Sequence, residues 1–304
     1  MKARLSILVI LVASSVIYVP SVALAEGMEA KVFWTNHYNG TIQKANLNGS
    51  NVETVVTASQ PLHIAVDPGT GMIYWIDAGT AKIRRATAGG MDIQAVIALS
   101  GYGDEVGIAV DAIGQKVYWT RYEAGIICRA NLDGTGREEL VTSLGGVNSI
   151  AIDGAGGKMY WTNRYDDMIQ RANLDGSAIE KLYSTGLVWP CDIDLDVPAG
   201  NVYWCDDATG SIWRADLDGG NADIIVTGLL GVEGIALDLL GRKIYWTNDH
   251  YGKIQRANLD GTMVEDIATG QGYQEIFGIA VVPEPATLSM LALGGLAMLK
   301  RRRR

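Results

Sequence analysis

Phe33-Trp34-Thr35-Asn36 decides the reading of this 304-residue chain, because the same four-residue pattern returns five more times. The later copies are Tyr74-Trp75-Ile76-Asp77, Tyr118-Trp119-Thr120-Arg121, Tyr160-Trp161-Thr162-Asn163, Tyr203-Trp204-Cys205-Asp206 and Tyr245-Trp246-Thr247-Asn248. Successive tryptophans lie 41, 44, 42, 43 and 42 residues apart. A period of that size, carried by short strands and Gly-rich turns, marks one blade of a β-propeller. Six copies predict an all-β fold of six four-stranded antiparallel blades.

Other positions keep step with the tryptophans. Ten residues after each stands a base (Lys44, Arg85, Arg129, Arg171, Arg214, Arg256), and five further a glycine (Gly49, Gly90, Gly134, Gly176, Gly219, Gly261). Eight residues before each tryptophan except the first stands Asp67, Asp111, Asp153, Asp196 or Asp238. The step from glycine to the next aspartate takes 18, 21, 19, 20, 19 and 21 residues when Val282 fills the sixth aspartate position. Length variation is confined to that link.

Each unit reads as four strands numbered outward from the axis. Strand one is of the type Gly107-Ile108-Ala109-Val110-Asp111, whose small residues permit close approach at a crowded centre. Its aspartate is expected to accept bonds from backbone amides of the following Gly-containing turn, a structural role rather than a catalytic one. Strand two, as in Lys116-Val117-Tyr118-Trp119, is apolar on both faces, which suits a strand sandwiched between neighbouring blades. A buried tryptophan removes on the order of 200 Å² from water, at most roughly 5 kcal/mol. Strand three ends in turns such as Asn173-Leu174-Asp175-Gly176, whose last residue needs a positive φ. Asp216-Leu217-Asp218-Gly219 partly resembles a calcium loop, but the EF-hand spacing is absent, and four other units carry Asn-Leu-Asn/Asp-Gly there. Strand four is a short outer edge, for example Glu138 to Thr142.

The first unit begins at strand two, and Phe277 to Val282 is a strand one with nothing to follow it. Pairing that last strand with Lys31 to Thr35 completes blade one from both ends and closes the ring.

Tyr-Trp-Thr-Asp type repeats combined with Arg-Ala-Asn-Leu-Asp-Gly and Gly-Ile-Ala-Val-Asp resemble the class B repeats of the low-density lipoprotein receptor, over residues 31 to 282. The resemblance implies a six-bladed propeller. The fourth motif residue departs from Asp at Asn36, Arg121, Asn163 and Asn248, so a role for that carboxylate does not carry over to those blades. No epidermal-growth-factor-like module is present, and receptor endocytosis does not carry over.

Three segments follow: 1–25, 26–282 and 283–304. Lys2 and Arg4, an apolar run from Leu5 to Tyr18 and Ala23-Leu24-Ala25 read as a secretory signal with a cleavage site; a retained signal anchor is the alternative. Residues 26–282 carry 18 bases against 33 acids, which disfavours nucleic acid and anionic lipid and attracts basic ligands or divalent cations. After Val282-Pro283-Glu284-Pro285 come fourteen mostly apolar residues, about 21 Å as a helix against a ~30 Å hydrocarbon core, then Lys300 and Arg301 to Arg304. This tail resembles the PEP-CTERM sorting signal of Gram-negative bacteria that make exopolysaccharide. The resemblance implies export to the cell envelope, surface or extracellular matrix and handling by exosortase-type machinery, with membrane contact only through the tail. A permanent anchor with its arginines inside is the other reading.

At most one internal disulfide fits three cysteines in an oxidising compartment. If Asp196 faces Asn201, an unbroken ladder puts Cys191 opposite Asp206, so its thiol and that of Cys205 point to opposite faces. Free buried thiols are the default expectation and the Cys191–Cys205 bond its alternative. Cys128 takes the place that Gln43, Gln170 and Gln255 hold elsewhere.

The strand two-to-three loops and the links from strand four to the next strand one emerge on one face. The loops supply His37, Tyr38, Arg121, Tyr122, Arg164, Tyr165, Asp166, Asp167, Asp206, Asp207, Asp249, His250 and Tyr251; the links supply His63, Glu105, Asn148, Trp189, Asp192 and Glu233. Aromatic residues and arginine beside acids are what protein interfaces concentrate. The leading expectation is a non-enzymatic recognition propeller, without cofactor, that binds a protein or extracellular polysaccharide. The alternative is a metal-dependent hydrolase of the gluconolactonase type, another six-bladed propeller. Its axial divalent ion, calcium for example, would fall to Asn148, Asp192 and Glu233, with His63 and Glu105 also axial. Asp194 replaces the small residue of strand one and needs a partner in a packed contact.

Overall fold

A computed structural model describes residues 30–99, 104–271 and 276–282. Blade one takes β1 (Lys31–Asn36), β2 (Thr41–Asn46) and β3 (Glu53–Thr57) from the start of the domain. Blade two is β4 (Pro61–Val66), β5 (Ile73–Asp77), β6 (Lys82–Ala86) and β7 (Gln94–Ala98). Blade three is β8 (Glu105–Asp111), β9 (Lys116–Arg121), β10 (Ile126–Asn131) and β11 (Glu138–Val141). Blade four is β12 (Val147–Asp153), β13 (Lys158–Asn163), β14 (Met168–Asn173) and β15 (Glu180–Tyr183). Blade five is β16 (Pro190–Asp196), β17 (Asn201–Asp206), β18 (Ser211–Asp216) and β19 (Asp223–Val226). Blade six is β20 (Val232–Asp238), β21 (Lys243–Asn248), β22 (Lys253–Asn258) and β23 (Glu265–Ala268), and β24 (Ile276–Val282) returns to blade one. Six antiparallel sheets of four strands result, one of them ordered β24-β1-β2-β3. Phe33 faces Ala280 and Trp34 faces Ile279 across the seam, so the two ends of the domain close the ring.

The six repeat tryptophans are fully buried, and so are Tyr74, Tyr118, Tyr160, Tyr203 and Tyr245. Each indole packs between one blade and the next, for example Trp161 with Tyr118, Ile127 and Val141. Where strand three carries glutamine, its side-chain oxygen accepts the indole N–H: Gln43 for Trp34 at 3.0 Å, Gln170 for Trp161 and Gln255 for Trp246 at 3.1 Å. Where Arg84, Cys128 or Trp213 stands instead, the N–H of Trp75, Trp119 or Trp204 has no partner. Other contacts replace that bond. Arg137 lies over Trp119 at 5.4 Å, and Trp213 stacks on Trp204 at 6.0 Å, nearly parallel.

The strand-three arginines tie blades at the rim. Arg129 Nη1 donates to the Leu174 carbonyl at 2.7 Å and Arg171 Nη1 to Leu217 at 2.6 Å, each in the turn of the next blade. Arg256 does the same to Leu47 across the seam. The strand-one aspartates cap turns as expected: Asp67 accepts from the N–H of Gly69, Asp111 from Ile113 and Gly114, and Asp238 from Gly241. The turn glycines have two reasons to be glycine. Gly134 sits at φ +85, and a Cβ there would meet the Val96 carbonyl of the preceding blade at 2.0 Å.

In all six blades the pairing of strands one and two slips, so that two residues of strand one oppose one of strand two. Such a bulge re-aims side chains. In blade five Pro190, not Cys191, faces Asp206, and Cys191 turns toward Cys205. The two thiols are 3.0 Å apart, which corrects the expectation that they point to opposite faces.

The bulge explains the threonine of the motif. Thr120 Oγ1 accepts the Gly107 N–H at 2.8 Å and donates to the Asn148 carbonyl of the next blade at 2.6 Å. Thr162 links Ser149 to Cys191, and Thr247 links Gly234 to Phe277, in the same way. One fully buried hydroxyl thus satisfies a bulge donor and bonds two blades.

Candidate binding face

Backbone bonds sew loops and links together on one face. The Ala58 N–H reaches Gly40, Leu144 reaches Gly125, Arg164 reaches Gly146, Asp207 reaches Trp189 and Asp249 reaches Gly231, all with carbonyls as acceptors. The sequence placed both sets of connections on that face, and the geometry agrees. The assignment of residues to the links needs correction. His63, Asn148, Asp192 and Glu233 lie within inner strands, because strand one begins ahead of the Gly-Ile-Ala core, and only Trp189 stays in a link. Glu105 starts β8, and its side chain lies outside the described residues.

The face is uneven. Around blades one and six, His37 packs edge-on against Tyr38 and Phe277, and His250 edge-on against Tyr251. Burial lowers the pKa of His37. Tyr38 and Tyr251 stand exposed, with Lys253 over the Tyr251 ring at 5.9 Å. Around blades three and four, Arg121 pairs with Asp104 at 3.3 Å and Tyr122 leans on Tyr165 at 5.0 Å. The Tyr165 hydroxyl donates to Glu123 at 3.0 Å, which pushes that phenol up to about 12. Asp166 is exposed, and its carboxylate accepts from the Asn163 amide at 2.8 Å within the same loop.

The densest arrangement spans blades four, five and six. Trp189 is 51% exposed and sits at φ +67, a left-handed conformation rare for a large side chain. Its N–H donates to Asp167 at 2.9 Å, and its carbonyl accepts from the Asp207 N–H at 3.2 Å. Arg164 lies over its ring at 5.1 Å and reaches Asp207 at 3.6 Å. Burial pushes Glu233 up to about 8, opposed by Arg164 and reinforced by Asp207, Asp249 and Asp192. Burial and then Asp207 push Asp249 up to about 6. An exposed indole thus lies against a guanidinium, in a neighbourhood of carboxyls held above their ordinary range.

Two of the axial candidates, Asn148 and Asp192, bond to groups of the protein itself. Asn148 donates its amide to the Cys191 carbonyl at 2.8 Å. Asp192 accepts the Ser149 hydroxyl at 2.5 Å and the Ile235 N–H of the next blade at 2.9 Å. Among the described residues no three His, Cys, Asp or Glu side chains are placed to hold a metal. His63 is buried beside an axial cavity of about 340 Å³, and neither ring nitrogen has a hydrogen-bond partner. Asp194 finds the partner that sequence alone left unnamed. Its carboxylate accepts the Leu195 N–H at 2.8 Å and the Leu237 N–H of blade six at 2.9 Å, while burial pushes it up to about 7.

The fold and repeat define a six-bladed propeller of Tyr-Trp blades, and known proteins bear this out. Residues 30–68 match the low-density lipoprotein receptor repeat class B, and residues 281–304 match the PEP-CTERM protein-sorting motif. The latter indicates export and anchoring at a bacterial cell envelope, with exosortase processing. Nidogen of Drosophila melanogaster is 33% identical over 92 residues, 30% of this chain and 7% of the relative. Low-density lipoprotein receptor-related protein 1 of Pyricularia oryzae is 33% identical over 112 residues, 34% of this chain and 36% of the relative. The chain thus spans a small part of these relatives. Among solved structures, a chain of the nidogen/laminin complex superposes with a TM-score of 0.74 at 21% identity, covering 83% of this chain and 98% of that one. TolB from Acinetobacter baumannii superposes at 0.67 and 14% identity, covering 84% and 67%. At these identities the two structures show the shared fold alone.

Proposed function

We propose that this chain is a non-enzymatic recognition propeller at the bacterial cell surface or in its matrix, binding a protein through the loop-and-link face. The observation that carries the reading is Trp189, exposed and stacked on Arg164, with Asp207, Asp249 and Glu233 alongside. Exposed tryptophan and arginine dominate protein interfaces energetically. The excess of 33 acids over 18 bases in residues 26–282 favours a partner surface rich in lysine or arginine. Support of a coarser kind comes from the nidogen/laminin complex, a fold neighbour in a protein–protein assembly.

The test is capture of envelope proteins and of purified exopolysaccharide by the immobilised full chain. Trp189→Ala with Asp207→Asn and Asp249→Asn should abolish protein capture. Unchanged capture would remove this face from the proposal, and retention of polysaccharide alone would replace the protein partner with a glycan. A cationic partner also pulls protons from Asp249 and Glu233, so its affinity should rise as pH increases from 5.5 to 8.5, across their values of about 6 and about 8.

A further inference from the structure

We propose that Cys191 and Cys205 are joined by a disulfide in the exported protein. Their sulfurs lie 3.0 Å apart, inside van der Waals contact. Both residues are fully buried on adjacent strands of one sheet, and Cys191 Sγ is also pressed to 2.9 Å from the Val232 carbonyl. The strand-one bulge makes the meeting, since it brings the thiol of Cys191 to the side of Cys205. Cys205 stands where Thr35, Thr120, Thr162 and Thr247 bond the bulge in other blades, and its sulfur still accepts the Asp192 N–H at 3.1 Å. In blade five the hydroxyl bond between strands is therefore replaced by a pair of sulfurs that a covalent bond fits. Cys128 lies in β10 of another blade and takes no part.

The sorting motif indicates export, and oxidising compartments keep such bonds. Burial raises both thiols above their ordinary range, so the folded pair reacts slowly, and oxidation belongs to the stage before blades five and six pack. The oxidant is a dithiol oxidase carrying a reactive disulfide. One cysteine thiolate attacks that disulfide to form a mixed disulfide, and the second displaces it. The Cys191–Cys205 bond forms, the oxidase bond breaks, and two electrons and two protons end on the oxidase thiols.

The experiment counts thiols in the full chain after export, unfolded in denaturant with an alkylating agent and weighed intact. One adduct is expected without reductant and three after reduction; three without reductant would overturn the proposal. A Cys128→Ala chain should take none, then two, and two at the outset would equally overturn it. Refolding in reductant should lower the melting temperature by about 5–10 °C. Cys205→Thr, which restores the hydroxyl of the other blades, should fold and melt identically with and without reductant. A reductant effect that survives in that variant would place the sensitivity elsewhere and overturn the assignment.

Discussion

Blades four and five share one topology and one backbone ladder and differ in the side chains that bond at their junctions. In blade four Gln170 accepts from Trp161, Thr162 carries the bulge, and Ala151 fills the centre. In blade five Trp213 stacks on Trp204, Cys205 meets Cys191, and Asp192 and Asp194 reach into blade six. The backbone ladder is the same because strand geometry and the buried indole set it. What varies is how the leftover donors at the blade junctions are satisfied. Hydroxyl, sulfur and carboxylate each accept a backbone N–H there, whereas the stacked ring only covers an indole N–H that has no partner. The blade that departs furthest from the repeat also carries Trp189 at its entrance.

The comparison can be broken most forcefully at the indoles. Trp161→Ala should lower stability by about 3–5 kcal/mol in denaturant unfolding, since a fully buried ring leaves a cavity between packed sheets. Trp204→Ala should lose as much, and a smaller loss there would show that Trp213 collapses into the space. Next in size, Thr162→Ala strands a buried N–H of Ser149 and leaves the Cys191 carbonyl with the Asn148 amide alone, at about 1–3 kcal/mol by the same measurement. Thr162→Cys should recover part of that if sulfur and hydroxyl are interchangeable at the bulge.

Asp194 sharpens the contrast through pH. Its carboxyl sits at about 7 in the fold, against about 4 in an unfolded chain, so the fold favours the neutral form. Stability from this group is full below pH 4 and falls as pH rises toward 7. Unfolding midpoints measured from pH 4.5 to 8 should decline more steeply in the natural chain than in Asp194→Ala, which carries the residue found in blade four. Equal slopes would show that Asp194 is ionised throughout. Smallest of all, Trp189→Ala should change stability by no more than about 0.5 kcal/mol despite its effect on capture, because its ring lies half in solvent.

Much of this was legible in the chain. The tryptophan spacing gave the blade count, the orphan strand at Phe277 gave the closure, and Asp67 and its counterparts read correctly as turn formers. The loops of the candidate face were legible too, because connections differ from strands in composition. The bulge was not. It inserts one residue without changing the length between motif positions, so counting passes over it and puts the Cys191 side chain on the wrong side. His63, Asn148, Asp192 and Glu233 belong to the inner strands rather than the links, because those strands begin ahead of the Gly-Ile-Ala core.

The repeat alone determined the architecture, since a buried aromatic every forty-odd residues and a Gly-containing turn at fixed distance leave one way to bury six apolar strands. Only the tertiary structure decided which polar atoms meet across blade junctions. Partners such as Asp194 and Leu237, Thr162 and Cys191, or Cys191 and Cys205 are chosen by the ring's curvature and the bulge. Those quantities arise when whole sheets pack, and no local stretch of sequence contains them.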